Sequence, residues 1–189
     1  MVCLGPRDPF DIAGPRPLAG VVGRPLNFTV MYLEETVDRL PCGCACGKAQ
    51  ILVLGRPFAR FICHCTICQS VYRAPFADVT ILFRRSVVLP QIEAIRFKKY
   101  RTPPALSRGT CTSCGSPVVA LMPFPRLAFI PAPNYPQSHK LPAPAMHIFY
   151  QSRISDVHDN LPKYSGYWPS ELAVTRLVLR TVFRRGPDA

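Results

Sequence analysis

The sequence predicts a mainly β protein built from antiparallel sheets, and three observations predict it. Short alternating or β-branched runs recur from Pro41 onward, each bounded by Gly or Pro. Proline accounts for 22 of the 189 residues, too many for long uninterrupted helices. The runs follow one another without the intervening helical periods that a parallel sheet requires.

Taken in order, "KAQILVLG" (Lys48–Gly55) alternates and is rich in β-formers, and "VTILFRRSVVL" (Val79–Leu89) repeats the pattern. "IRFKKYR" sets Ile95, Phe97 and Lys99 against Arg96, Lys98 and Tyr100. "PVVALM" (Pro117–Met122), "RLAFIPA" (Arg126–Ala132) and "MHIFYQSRI" (Met146–Ile154) complete the set. The segment "ELAVTRLVLRTVF" (Glu171–Phe183) fits either an alternating strand or a helix with Val174, Leu177, Val178 and Val182 on one face. Three regions follow: a Pro/Gly-rich extension over 1–40, a domain over 41–170 and a basic tail over 171–189.

Apolar residues make up 48% of the chain, enough for a core and against global disorder. The N-terminus lacks a basic stretch leading into an apolar one, so no secretory signal is expected, and no eighteen apolar residues run together. The expectation is a soluble cytoplasmic protein without a membrane partner. Thiols stay reduced in that compartment, so clustered cysteines point to metal or catalysis rather than disulfides.

The formal net charge is +12, which raises the question of nucleic acid. Seven thiolates and two divalent ions would lower it by only about three. The cations are dense only in "RFKKYR" (Arg96–Arg101) and in the closing "FRRGPDA". Phe97 and Tyr100 could stack on bases there, but a solvated strand and a charged tail account for both stretches. Nucleic acid is a possible partner, not the favoured one.

Eight of the nine cysteines fall in three clusters. They are "CGCACG" with Cys42, Cys44 and Cys46, "CHCTIC" with Cys63, Cys65 and Cys68, and "CTSCG" with Cys111 and Cys114. A Cys-x-x-Cys-Gly turn lets two thiolates reach one ion at about 2.3 Å, the glycine relieving the bend. Cys44 and Cys46 can complete a tetrahedral site with Cys111 and Cys114. Cys63, Cys65 and Cys68 then remain as three ligands with an open position, the pattern of a catalytic zinc. Cys42 is a spare ligand or a free thiol, so a second structural site stays open as an alternative. His64 lies between two ligands and is expected to point away from the metal. His147 is expected to be a core strand histidine.

The ordered set Cys44-x-Cys46-Gly47, "CHCTIC" followed by Ala74-Pro75-Phe76, "RGTCTSCGSP", "MHIFYQSR" and "LPKYSGYWP" resembles the glutathione-dependent formaldehyde-activating enzyme family, whose domain is shared by centromere protein V. The likeness covers about Pro41 to Pro169. It implies a β-tent fold with two Zn²⁺ ions, one held by Cys44, Cys46, Cys111 and Cys114 and the other by Cys63, Cys65 and Cys68. It also implies a carbon–sulfur lyase chemistry, the reversible joining of glutathione and formaldehyde. Arg73 and Arg108 are candidate clamps for the carboxylates of the thiol substrate. This sequence has Gln69 where many members carry a basic residue, and Arg73 where glycine is common. Both changes bear on whether glutathione is the substrate.

Overall fold

The architecture follows from where the apolar residues alternate and where they do not. The computed structural model describes residues 39–102, 106–137 and 140–185. The expected N-terminal extension lies, except for its last two residues, outside them. Among the described residues there are ten strands and two α-helices. In chain order these are β1 (Arg39–Gly43), β2 (Gln50–Leu54), β3 (Ala59–Cys63), α1 (Thr66–Tyr72), β4 (Ala77–Phe83), β5 (Val87–Val88), β6 (Ile95–Lys99), β7 (Ser107–Cys111), β8 (Pro117–Met122), β9 (Leu127–Pro131), β10 (His147–Ile148) and α2 (Tyr167–Arg185). The mainly β expectation holds.

The strands form a three-stranded sheet ordered β1-β2-β5 and a seven-stranded sheet ordered β10-β3-β4-β9-β8-β7-β6. Pairing is antiparallel throughout, except that β10 joins β3 in parallel, with His147 opposite Ile62 and Ile148 opposite Cys63. The parallel pair arises because β10 returns from a long excursion after β9 rather than through a hairpin. The run Val79–Leu89 is not one strand, because a 3₁₀ turn at Arg84–Ser86 breaks it into β4 and β5, which belong to different sheets.

The larger sheet has a core on each face. β4 and β9 lie at its centre and read as near-continuous apolar runs, as strands covered on both sides do. Leu82, Ala128 and Ile130 point toward Ile51 and Val53 of the smaller sheet. Val79, Ile81, Leu127 and Phe129 point the other way, into a second cluster with Phe61 and Ile148. Helix α2 closes that second face. Ala173 is buried there, and Val174, Leu177 and Val178 pack beside it, so the ambiguous segment Glu171–Phe183 is helical. The layers are thus small sheet, large sheet and helix. Within the large sheet, Arg60 on β3 grips Asp78 on β4 through two hydrogen bonds, Nε to Oδ1 at 2.7 Å and Nη2 to Oδ2 at 2.5 Å.

Close packing leaves little room for a side chain at one glycine. A Cβ at Gly109 of β7 would lie 2.6 Å from Ile95 Cγ2 and 2.8 Å from a Phe97 ring carbon, both on β6. Gly109→Ala is expected to destabilise the protein by about 1–3 kcal/mol through overpacking. A urea midpoint equal to that of the parent protein would contradict this.

At the end of the large sheet, β6 carries Arg96, Lys98 and Lys99, all exposed. Phe97 packs against the core, while Lys98 and Arg108 lie 5.0 and 5.7 Å from the Tyr100 ring. Tyr100 itself is exposed.

Candidate metal centres and the cavity beside them

Two hairpin tips build the first centre. Cys44 follows the end of β1 in the turn to β2, and Cys111 ends β7 before the turn to β8. Each turn is closed by a backbone hydrogen bond to the cysteine carbonyl, from Gly47 N–H to Cys44 and from Gly115 N–H to Cys111, both at 2.9 Å. Both glycines have positive φ, 73° and 71°, which an L side chain would resist. The amide of Ala49 donates to Cys44 Sγ, and that of Ser113 to Cys111 Sγ, each at 3.4 Å. Such donors favour thiolate. The sulfurs of Cys44, Cys46, Cys111 and Cys114 lie within 4.8 Å of one another. Cys44–Cys46 is 3.3 Å and Cys46–Cys111 is 3.7 Å. A tetrahedron with Zn–S near 2.3 Å requires sulfurs about 3.8 Å apart, so these four residues fit a zinc ion. The centre ties the small sheet to the large one.

A strand-to-helix turn builds the second. Cys63 is the last residue of β3, Cys65 is the N-cap of α1, and Cys68 lies in its first turn. Residues three apart at a helix start share one face, and the Cys68 amide donates to Cys65 Sγ at 3.4 Å. All three thiols are buried and lie within 4.8 Å of one another. No fourth His, Cys, Asp or Glu joins them among the described residues. Hydrogen bonds to Cys65 and Cys68, then burial, push the Cys63 thiol well above its ordinary range, while Cys63 and Cys68 draw the Cys65 thiol down. Three sulfurs this close cannot all ionise without a cation among them. A divalent ion fits that requirement, and Cys63, Cys65 and Cys68 could hold it.

Cys42 belongs to neither centre. It is buried in the core between the sheets, and burial pushes its thiol up to about 12. It behaves as a small apolar residue.

His64 points away from the thiols, as expected, but into an arrangement the sequence did not suggest. Its ring stacks on His147, with Nε2 2.9 Å from His147 Nδ1. His147 Nε2 lies 2.7 Å from Asp159 Oδ2, and Lys163 Nζ lies 2.7 Å from the other oxygen. If Asp159 is ionised, His147 donates to it from Nε2 and accepts from His64 at Nδ1. His64 Nδ1 is then a buried acceptor with no partner. Burial first, then the neighbouring His147, lowers the His64 pKa and keeps the ring neutral. Asp159 is the anchor that sequence reasoning missed. It sits well outside the cysteine clusters, and only its spacing of four before Lys163 was there to be seen. Gln69 completes the bracing, its side-chain amide donating to the carbonyls of His64 at 2.8 Å and Ser152 at 2.7 Å. That glutamine therefore holds the turn rather than facing a ligand.

The Lys163 ammonium first, then His147, holds the Asp159 carboxyl far below its ordinary value of 3.8. A depressed carboxylate contributes stability above its unfolded pKa, and loses it as pH falls toward the folded one. Asp159→Asn should therefore lower the thermal midpoint at neutral pH, and the gap from the parent should narrow below about pH 4. A gap that stays constant between pH 7 and pH 3 would show that Asp159 does not act through its charge.

A cavity of about 190 Å³ opens over the second centre. Cys63, Cys65 and Cys68 line it, and α2 contributes Tyr167, Glu171 and Val174. Its charged groups are Arg101, Arg108 and Glu171, and none of them is in an ion pair with a described residue. Burial pushes the Glu171 carboxyl up. Of the two arginines singled out in the sequence, only Arg108 is here. Arg73 is exposed, caps α1 in the left-handed conformation at φ 51°, and lines a shallow groove with Arg96 and the Thr110–Gly115 turn.

The two sulfur clusters thus sit on two hairpin tips and on a strand-to-helix turn. The family model for the glutathione-dependent formaldehyde-activating enzyme matches residues 39–152. The chain belongs to that family. No curated protein matches it. The family segment takes in both sulfur clusters and His64 and His147, and it stops before Asp159 and α2. The cavity is therefore walled partly by residues from outside that segment. No helix among the described residues is long and apolar enough to cross a membrane.

Proposed function

We propose that the protein is a zinc-dependent carbon–sulfur lyase of the reducing cytoplasm. Its substrate is a small thiol–aldehyde adduct of the S-(hydroxymethyl)glutathione kind. Cys44, Cys46, Cys111 and Cys114 hold a structural Zn²⁺, and Cys63, Cys65 and Cys68 hold a second. The observation that carries this reading is the trithiol floor of an accessible cavity, with no fourth protein ligand among the described residues. An open three-ligand zinc supplies Lewis acidity and lowers the pKa of a bound thiol or hydroxyl.

The net reaction breaks one C–S bond. The adduct R–S–CH₂–OH gives the thiol R–SH and formaldehyde, with the hydroxyl proton ending on sulfur and no change of oxidation state. Glu171 is the carboxyl on the cavity wall, and its raised pKa suits it to take the hydroxyl proton and return one to sulfur. Arg108 offers a guanidinium to an anionic end of the thiol.

The test combines zinc content by elemental analysis with exchange of formaldehyde on glutathione followed by NMR. Two equivalents of zinc and exchange faster than in buffer are expected. Zinc-replete protein that leaves exchange of every thiol tested at the buffer rate would sink the lyase reading.

A further inference from the structure

We propose that the cavity over Cys63, Cys65 and Cys68 selects a compact thiol with an apolar, ring-sized body and one carboxylate held by Arg108, in preference to a charged tripeptide. This rests on the reading that the trithiol floor receives the sulfur end of an adduct.

Size is the first argument. An engineered apolar cavity of about 150 Å³ takes one benzene, and pockets for larger ligands run from about 300 Å³ upward. At about 190 Å³ the present cavity holds a ring and a short substituent. Chemistry is the second. The apolar lining includes Phe61, Ile67, Leu106, Phe149 and Val174, and Tyr72 also lines the cavity. None of the first five offers a side-chain hydrogen bond. Arg101, Arg108 and Glu171 are the charged groups of the lining, and the apolar walls offer no partner to the two peptide groups of glutathione, which would lose water against them.

Charge is the third. Arg108 is half-buried on β7, lines the cavity and has no carboxylate partner among the described residues. A guanidinium with its fork unspent beside an apolar cavity is suited to one carboxylate. Part of the apolar wall comes from α2, beyond the family-matched segment. Val174 supplies that part, while Arg108 and the other apolar walls named lie within the family-matched segment.

The experiment is calorimetric titration of the zinc-loaded full chain with 4-(mercaptomethyl)benzoate, phenylmethanethiol and glutathione. The expected order places the benzoate at least tenfold tighter than glutathione. Arg108→Gln should weaken the benzoate about tenfold and leave phenylmethanethiol unchanged. Arg108→Lys, which keeps the charge but loses the fork, should fall between. Val174→Arg, which fills the cavity from α2, should weaken both aromatic thiols. Glutathione binding as tightly as the benzoate, no binding by any of the three, or equal losses for both aromatic thiols in Arg108→Gln would overturn the proposal. The binding order is read without turnover. A lyase reading that fails for want of formaldehyde exchange therefore leaves this outcome separately visible.

Discussion

Cys111→Ser is expected to abolish cooperative folding at ambient temperature. The Cys111 thiol joins the tip of the β7–β8 hairpin to the β1–β2 hairpin of the other sheet, and its sulfur lies 3.7 Å from that of Cys46. A structural zinc contributes on the order of 10–16 kcal/mol in small domains, against a total stability of about 5–15 kcal/mol for a typical protein. Serine is a poor zinc ligand at neutral pH, so even a partial loss consumes most of the margin. Circular dichroism through a urea series should show a broad, non-cooperative change in place of a single transition. Elemental analysis should find the zinc content reduced by at least one equivalent. Chelation of the parent protein should reproduce the effect. A sharp transition at the parent midpoint would show that the Cys44, Cys46, Cys111 and Cys114 cluster holds nothing the fold depends on.

Cys65→Ser should do the opposite, leaving the fold intact and removing turnover. Cys65 is the N-cap of α1, its sulfur accepting from the Cys68 amide. Serine is among the best residues at an N-cap, so the substitution preserves the start of the helix while removing one of three metal-binding thiols. Formaldehyde exchange should fall to the rate in buffer, with one equivalent of zinc lost and a urea midpoint near that of the parent. Two outcomes count against this. Unfolding as severe as in Cys111→Ser would make the second centre structural, and retained exchange would place the chemistry elsewhere. Cys65→Ala, which removes the cap as well, should cost about 1 kcal/mol more stability than Cys65→Ser.

The cysteines made the two centres legible in the sequence because metal chemistry imposes spacing. Cys-x-x-Cys-Gly needs only a local turn, and its ligands are countable without knowing the fold. The strands that alternate, such as β2, or that run continuously apolar, such as β9, were legible for the same local reason. What escaped depends on distant partners. Helix α1 has neither a conventional cap nor an acidic first turn, because a cysteine caps it. β3, with the sequence Ala-Arg-Phe-Ile-Cys, is too short to show a period. The Asp159–His147–His64 chain unites residues 12 and 83 positions apart, the first pair through the bridge of His147 to Lys163 and the second through the parallel pairing of β10 with β3. Glu171–Phe183 could not be resolved because its apolar residues satisfy both periods. The cluster around Phe61 and Phe129, which needs a cover, decides for helix. Arg73 and Arg108 looked alike on paper, and a left-handed cap at the end of α1 turns the first toward the wrong groove.

Among the described residues the large sheet ends on β6, whose exposed Arg96, Lys98 and Lys99 all carry positive charge. An unpaired strand margin offers amide and carbonyl groups to any extended chain that drifts past, and is a usual starting point for intermolecular stacking. Three cations within four residues make a second copy's β6 an unwelcome neighbour. Cations on such a margin oppose edge-to-edge pairing, and neutralising Lys98 and Lys99 is expected to raise aggregation at high concentration, as read by light scattering.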